Sequence, residues 1–368
     1  MKNCNRRIKR ITIVVGIVVV VALVAVLLKS MLFPPYEGLP VSGNHAIGTV
    51  MYTWEDKSRI ETFSDGGENR SLTVGFWYPE EEGKYPLVVF SHGAFGVIES
   101  NISTYKELAS NGYVVASIGH PYHAMYVEDV NGKTTVVDMD FFKQVMTDNG
   151  GEYSEESERR QYELSKEWME LRTADMNFVL DTILEKVSAD EIDEEKVFTL
   201  IDMTKIGLMG HSMGGATAVQ LGRERNDITA VVDLEGTMLG EYVGFENGYE
   251  VYNDEPYPIP VLDVNSKAVR EDIEALEAEH PGWKYVNDYL GENAVDYREI
   301  VFNGAGHLNY TDLPLIAPPL AAMLGVGDVD ATECLENVNE VILTYFDFYL
   351  KGEGSLDNIK LSINRLNN

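Results

Sequence analysis

From Lys205 to Ala216 the chain reads Lys-Ile-Gly-Leu-Met-Gly-His-Ser-Met-Gly-Gly-Ala. An apolar run ends in Gly-x-Ser-x-Gly, and small residues then open a helical stretch. The pattern demands a very sharp turn from strand to helix that lifts the Ser212 hydroxyl above the sheet. Gly210 and Gly214 leave room where a Cβ would crowd the neighbouring backbone. The helix that follows aims its first backbone N–H groups at negative charge formed beside Ser212. A turn of this kind sits at the carboxyl end of a sheet strand, so the segment points to an α/β architecture.

The order of apolar and helical stretches agrees. Ile47 to Tyr52 and Leu72 to Tyr78 read as an edge hairpin about a Gly/Asp-rich turn. Leu87 to Phe90 and Tyr113 to Ile118 are short apolar runs of the kind a doubly covered strand carries. Thr104 to Ser110 reads as a helix, and Glu155 to Lys186 has apolar residues at helical spacing. Further strands are expected at Lys205 to Met209, Ile228 to Asp233, Ile259 to Val264 and Arg298 to Phe302. Gly214 to Leu221 and Leu335 to Leu350 complete the helices. Strands alternating with helices imply a mostly parallel sheet with helices on both faces. Ligands of such sheets sit beyond the carboxyl ends of the strands.

Three further segments fall at such ends. Phe90-Ser91-His92-Gly93-Ala94-Phe95-Gly96 follows an early strand, where backbone N–H groups can face an oxyanion. Ala94 is the expected donor there, paired with the Met213 N–H, and His92 reads as a loop organiser. His307, in Phe302-Asn303-Gly304-Ala305-Gly306-His307-Leu308-Asn309-Tyr310, follows the last strand and is the expected base. An imidazole titrating near neutrality can take the serine proton and return it to a leaving group. Two aspartates compete for the acid: Asp233 closes its apolar run, and Asp263 lies within another. A nucleophile, a base and an oxyanion site need no metal or cofactor, and none is expected.

The amino-terminal segment has its own character. Met1 to Arg10 is basic, and Ile11 to Leu28 runs 18 residues without a charge. As a helix that is about 27 Å, near the thickness of a bilayer core. The reading is a signal anchor over residues 1–29, a juxtamembrane connector over 30–46, and one domain over 47–368 with an insertion around 120–170. The cell membrane would then be a partner, with a single-pass topology and an extracytoplasmic catalytic domain. A secreted form after signal cleavage is the alternative. The first 29 residues hold six bases and no acid, which leaves 23 bases against 60 acids, a net −37, in the remainder. Such a surface repels nucleic acid, and no nucleic-acid partner is expected. The two cysteines, Cys4 and Cys334, are not expected to pair.

Four segments together resemble the platelet-activating-factor acetylhydrolase family, the plasma and type II intracellular lipase group of the α/β-hydrolases. They are Phe90 to Gly93, Ile206 to Gly215, Val232 to Glu235, and Gly304 to Asp312. The resemblance implies the α/β-hydrolase fold, Ser212 as nucleophile, His307 as base, and Ala94 and Met213 as oxyanion donors. It favours Asp233 over Asp263 as the acid. Met213 stands in place of the family's usual aromatic, and Glu235 stands where the family can carry a bulky one. The expected activity is a serine carboxyl-ester hydrolase acting on short- or oxidised-acyl phospholipids of platelet-activating-factor type. A general lipase, esterase or polyesterase is the alternative within the enzymes. A non-catalytic membrane-tethered binding protein on a hydrolase scaffold is the alternative outside them. The substrate partner is a small-molecule or lipid ester, and the oligomeric state stays open.

Overall fold

Alternation of apolar residues puts Leu87 and Val89 on one face of a sheet and Val88 and Phe90 on the other, all four without exposed surface. Their strand is central in a computed structural model that describes residues 26–148, 154–189, 196–357 and 359. Eight strands form the main sheet among the described residues. They are β1 (Ile47–Ile60), β2 (Asn69–Pro79), β3 (Tyr85–Ser91), β4 (Val114–Gly119), β5 (Ile201–His211), β6 (Ala230–Leu234), β7 (Val261–Ser266) and β8 (Tyr297–Phe302). Their spatial order is β1-β2-β4-β3-β5-β6-β7-β8. The first two pairings, β1 with β2 and β2 with β4, are antiparallel, and all the others are parallel.

Helices cover both faces. On one, α1 (Ile102–Ser110) and α5 (Ala331–Phe346) pack Tyr105, Leu108, Val338, Ile342 and Phe346 against Val88, Phe90, Val115 and Met209. On the other, α3 (Glu155–Ser188) and α4 (Met213–Glu224) pack Met176, Val179, Leu180, Ala218 and Leu221 against Leu87, Val89, Leu208 and Val231. The start of α3 is fixed chemically: the Ser154 hydroxyl accepts the Ser157 N–H at 3.0 Å, and Glu155, Glu156 and Glu158 sit at the positive end of the helix dipole. Between β4 and α3 lie a small hairpin (Tyr126–Glu128 with Thr134–Val136) and helix α2 (Met139–Asp148). This is the α/β-hydrolase fold.

The amino-terminal reading is corrected. Among the described residues no helix is long and apolar enough to cross a membrane. Of the expected span, Ile11 to Leu28, residues 11–25 lie outside the described residues. Residues 26–32 are helical, which is about 10 Å of rise, and they include Lys29. The signal anchor, the membrane as a partner and the single-pass extracytoplasmic placement are therefore withdrawn.

Candidate active site

Ser212 stands between the last residue of β5 and the first of α4 with φ 55° and ψ −126°. A non-glycine residue holds such a backbone only when the surroundings fix it. They do so here through close approach. A Cβ on Gly210 would lie 2.1 Å from the Gly214 backbone, and one on Gly214 would lie 2.0 Å from the Ser91 carbonyl oxygen. The Ser212 N–H donates to the Leu234 carbonyl at 2.9 Å, and the Ser212 carbonyl accepts the Gly215 N–H at 2.8 Å.

The loop after β3 abuts this elbow, since a Cβ on Gly93 would come within 3.1 Å of the Ser212 Cβ. Ala94 and Phe95 pack in one apolar cluster with Met213, Ala216, Phe141, Trp168 and Leu239. Phe95 takes φ 63°, and its N–H donates to the His123 carbonyl at 2.9 Å. Among the described residues neither the Ala94 N–H nor the Met213 N–H donates to another protein group. The structure thus brings together Ser212, Ala94 and Met213.

His307 opens a short 3-10 turn after β8, with its side chain part-exposed. Its Nδ1 lies 2.8 Å from Oε2 of Glu235, and the other Glu235 oxygen accepts the Ser266 N–H at 2.6 Å. Glu235 is buried, with φ 53°, one residue beyond the end of β6. His211 steadies the same loop from beneath, because its Nε2–H donates to the His307 carbonyl at 2.9 Å. Burial, and then the nearby His307, push the His211 imidazole well below its usual range, so it serves as a neutral donor.

Neither aspartate named from sequence is on His307. Asp233 lies inside β6 and opposes Asp263 of β7 in register. Asp233 Oδ1 accepts the Gly236 N–H at 2.9 Å, and Asp263 Oδ2 accepts from Tyr297 Oη at 2.6 Å and Asn287 Nδ2 at 3.0 Å. Among the described residues, the remaining Asp233 oxygen is buried without a hydrogen-bond partner. Burial raises both carboxyls, Asp263 to about 6 and Asp233 well above its usual range with Asp263 beside it. The pair shapes the loop that carries Glu235. The carboxylate on His307, which sequence reasoning missed, belongs to Glu235, and its signal was an acid just past a strand end and just before a glycine.

Sequence reasoning also missed a second set of groups. Ser91 Oγ lies 2.9 Å from His120 Nε2, and His120 Nδ1 lies 3.0 Å from Asp175 Oδ2. These three are bonded in the order and geometry of a Ser-His-Asp triad, and all three are fully buried. Arg70 forks onto both Asp175 oxygens at 2.7 Å and reaches Glu61 at 2.9 Å. Burial alone would raise the Asp175 carboxyl, but the Arg70 charge and hydrogen bonds hold it well below the usual carboxylate range. Burial and the Arg172 charge push His120 down to about 3, so it is neutral. No local motif announces this set, because its members lie on β3, on the loop after β4 and on α3.

The profile of the family described as platelet-activating factor acetylhydrolase, isoform II, matches residues 74–361. The bovine (Bos taurus) platelet-activating factor acetylhydrolase is 26% identical over 281 residues, covering 73% of this chain and 57% of that protein. The dog (Canis lupus familiaris) protein of the same name is 26% identical over 282 residues, with the same coverage. A probable 1-alkyl-2-acetylglycerophosphocholine esterase of Arthroderma benhamiae is 23% identical over 284 residues, covering 73% of this chain and 61% of that one. The match thus spans less than two thirds of the length of these relatives. In fold the chain is similar to a ferulic acid esterase from Streptomyces cinnamoneus, with a TM-score of 0.62, 21% identity, and coverage of 86% and 93% of the two chains. With a profile match over most of its length, the chain belongs to the platelet-activating factor acetylhydrolase, isoform II, family.

Proposed function

We propose that this protein is a serine carboxyl-ester hydrolase that acts through Ser212, His307 and Glu235. The observation that carries the reading is the strained Ser212 elbow, whose preceding residue His211 bonds the carbonyl of a part-exposed His307 that is itself held at Nδ1 by a buried carboxylate. Nδ1–H donation to Glu235 leaves the Nε2 lone pair free to act as base. His307 takes the Ser212 proton as Oγ attacks the ester carbonyl. The tetrahedral oxyanion accepts hydrogen bonds from the Ala94 and Met213 N–H groups, each worth about 3–4 kcal/mol in the transition state. Collapse breaks the C–O bond, and the His307 imidazolium gives its proton to the departing alkoxide. Water then loses a proton to His307 and attacks the acyl-serine, and Ser212 leaves reprotonated with release of the carboxylic acid.

A general esterase with small acyl groups is the broader form of this reading. The names of the bovine, dog and fungal relatives support the narrower one, a 1-alkyl-2-acetyl phospholipid. A second reading rests on Ser91, whose bonds to His120 and Asp175 are complete. Against it, Ser91 and His120 have no exposed surface, and an ester must reach its nucleophile. Labelling with a fluorophosphonate probe decides between them. Ser212→Ala should abolish labelling and esterase turnover while Ser91→Ala keeps both; the opposite pattern would move the nucleophile to Ser91. Nitrophenyl acetate, butyrate and octanoate, set beside a 1-alkyl-2-acetyl phosphocholine, then separate the broad from the narrow substrate reading.

A further inference from the structure

The side chain of His92 is fully buried directly beneath the loop that carries Ala94. Its Nδ1 lies 2.7 Å from the Gly93 carbonyl oxygen, a group that only accepts, and 3.3 Å from Arg172 Nη2, which is committed at 2.5 Å to the His92 carbonyl; the shorter contact sets the tautomer, so Nδ1 carries the hydrogen. The Gly96 N–H donates to the same oxygen at 3.1 Å. Oxygen and hydrogen point in opposite directions across a trans peptide. Fixing the Gly93 carbonyl therefore fixes where the Ala94 N–H points, and that N–H has no other protein partner among the described residues. The preceding peptide is clamped as well, since Arg172 Nη2 donates to the His92 carbonyl at 2.5 Å from helix α3.

We propose that His92 is a positioning residue of the oxyanion site: its Nδ1–H holds the Gly93 carbonyl so that the Ala94 N–H faces the ester carbonyl oxygen at Ser212. The assignment rests on the reading of Ser212 as nucleophile. Its chemistry is consistent with the surroundings. Burial, then the Arg172 charge, push the His92 imidazole well below its usual range, so the ring is neutral with one donor and one acceptor. With Nδ1 as the donor, Nε2 accepts the His120 N–H at 3.4 Å. His120 is tied in turn to Ser91 and Asp175. The buried Ser-His-Asp set thus acts as a footing for the oxyanion loop.

Two variants of similar polarity separate positioning from packing. In His92→Asn the side-chain amide nitrogen falls near the place of Nδ1, whereas in His92→Gln it falls near Nε2. His92→Asn should keep kcat within about fivefold, and His92→Gln should lower it about 100-fold with KM little changed. Affinity for a trifluoromethyl ketone, which forms a tetrahedral anion on serine, should fall by the same factor as kcat/KM in the Gln variant alone. Equal kcat in the two variants, or losses that track melting temperature, with Ser212 still labelled by fluorophosphonate, would overturn the positioning role alone. Failure of wild-type Ser212 to label would overturn the nucleophile reading and the proposal with it.

Discussion

Glu235 meets His307 from a backbone that has already left its strand, and its carboxylate is engaged at both oxygens, by His307 Nδ1 at 2.8 Å and the Ser266 N–H at 2.6 Å. A carboxylate so held can neither rotate away nor change partner without losing a buried hydrogen bond. Glu235→Gln should lower kcat about 10³–10⁴-fold with the fold intact, because the amide can present its N–H to Nδ1 and favour the wrong tautomer. Asp233→Asn should lower kcat less than about tenfold. Steady-state kinetics with melting curves check both, and the reverse ranking would return the acid to Asp233.

The Asp233–Asp263 pair gives stability a dependence on pH. Both carboxyls are raised in the folded state, Asp263 to about 6. The sign follows from linkage: their contribution is fully present below the unfolded value near 3.9 and is lost as pH rises through the folded values. Around Asp263 stand Glu299, Tyr297 and Asn287, and the first of these adds to the upward shift. Asp263→Asn removes one buried charge and offers a donor toward the unpartnered Asp233 oxygen. The variant's gain in melting temperature over wild type should grow from pH 5 to pH 8; a gain that is flat with pH would refute the raised Asp263 carboxyl.

Asp175 behaves in the opposite sense. Its carboxyl is held low, so its contribution is present above about 3.9 and fades as pH falls. Asp175→Asn leaves Arg70 buried with Glu61 as its remaining carboxylate and should destabilise the protein by about 3–5 kcal/mol in urea at pH 7. Folded variant should retain kcat within about tenfold. A loss near 10⁴-fold would instead favour the Ser91 reading.

Gly214 has no room for any side chain. A methyl there would lie 2.0 Å from the Ser91 carbonyl and 2.6 Å from that of His92. Backbone cannot yield as a side chain does, so Gly214→Ala should fail to give soluble folded enzyme or lose more than about 4 kcal/mol. Circular dichroism and urea titration report the outcome, and a stable variant of wild-type activity would contradict the tight elbow.

Phe142 lies 5.0 Å, ring centre to ring centre, from Phe95, the residue after Ala94. Unlike Phe141, which is stacked at 3.7 Å on His123 and buried, Phe142 is half-buried. Phe142→Ala should therefore cost little stability and shift preference toward longer acyl chains by about tenfold in kcat/KM, roughly the effect of one or two methylenes in an apolar pocket. An unchanged preference from acetate to octanoate would remove α2 from the acyl site.

Much of this was written locally in the chain. The elbow was legible because Gly-x-Ser-x-Gly after an apolar run fixes both the turn and its neighbours. His307 was legible from its place after the last strand. The carboxylate that bonds His307 was not, because the apolar run of β6 reads as ending at Asp233, whereas the strand continues through Leu234. Asp233 consequently points under α4, where a Cβ on Gly215 would touch its oxygen at 1.7 Å, and Glu235 reaches the histidine instead. The set around Asp175 was invisible for another reason: each of its bonds joins residues at least 29 positions apart, apart from the Arg70–Glu61 pair.

Helix α3 presents Trp168, Arg172, Asp175, Met176 and Val179 along one buried face. Trp168 belongs to the apolar wall beside Ser212, Arg172 clamps the His92 carbonyl, and Asp175 anchors His120. Any shift or rotation of this rod would disturb all three at once, so selection for a new substrate has little freedom on that side. Helix α2, where Phe142 rides beside a small hairpin, bears no such triple duty. Diversification of substrate range within this lineage should accordingly concentrate in residues 126–146, leaving the 168–179 stripe nearly fixed.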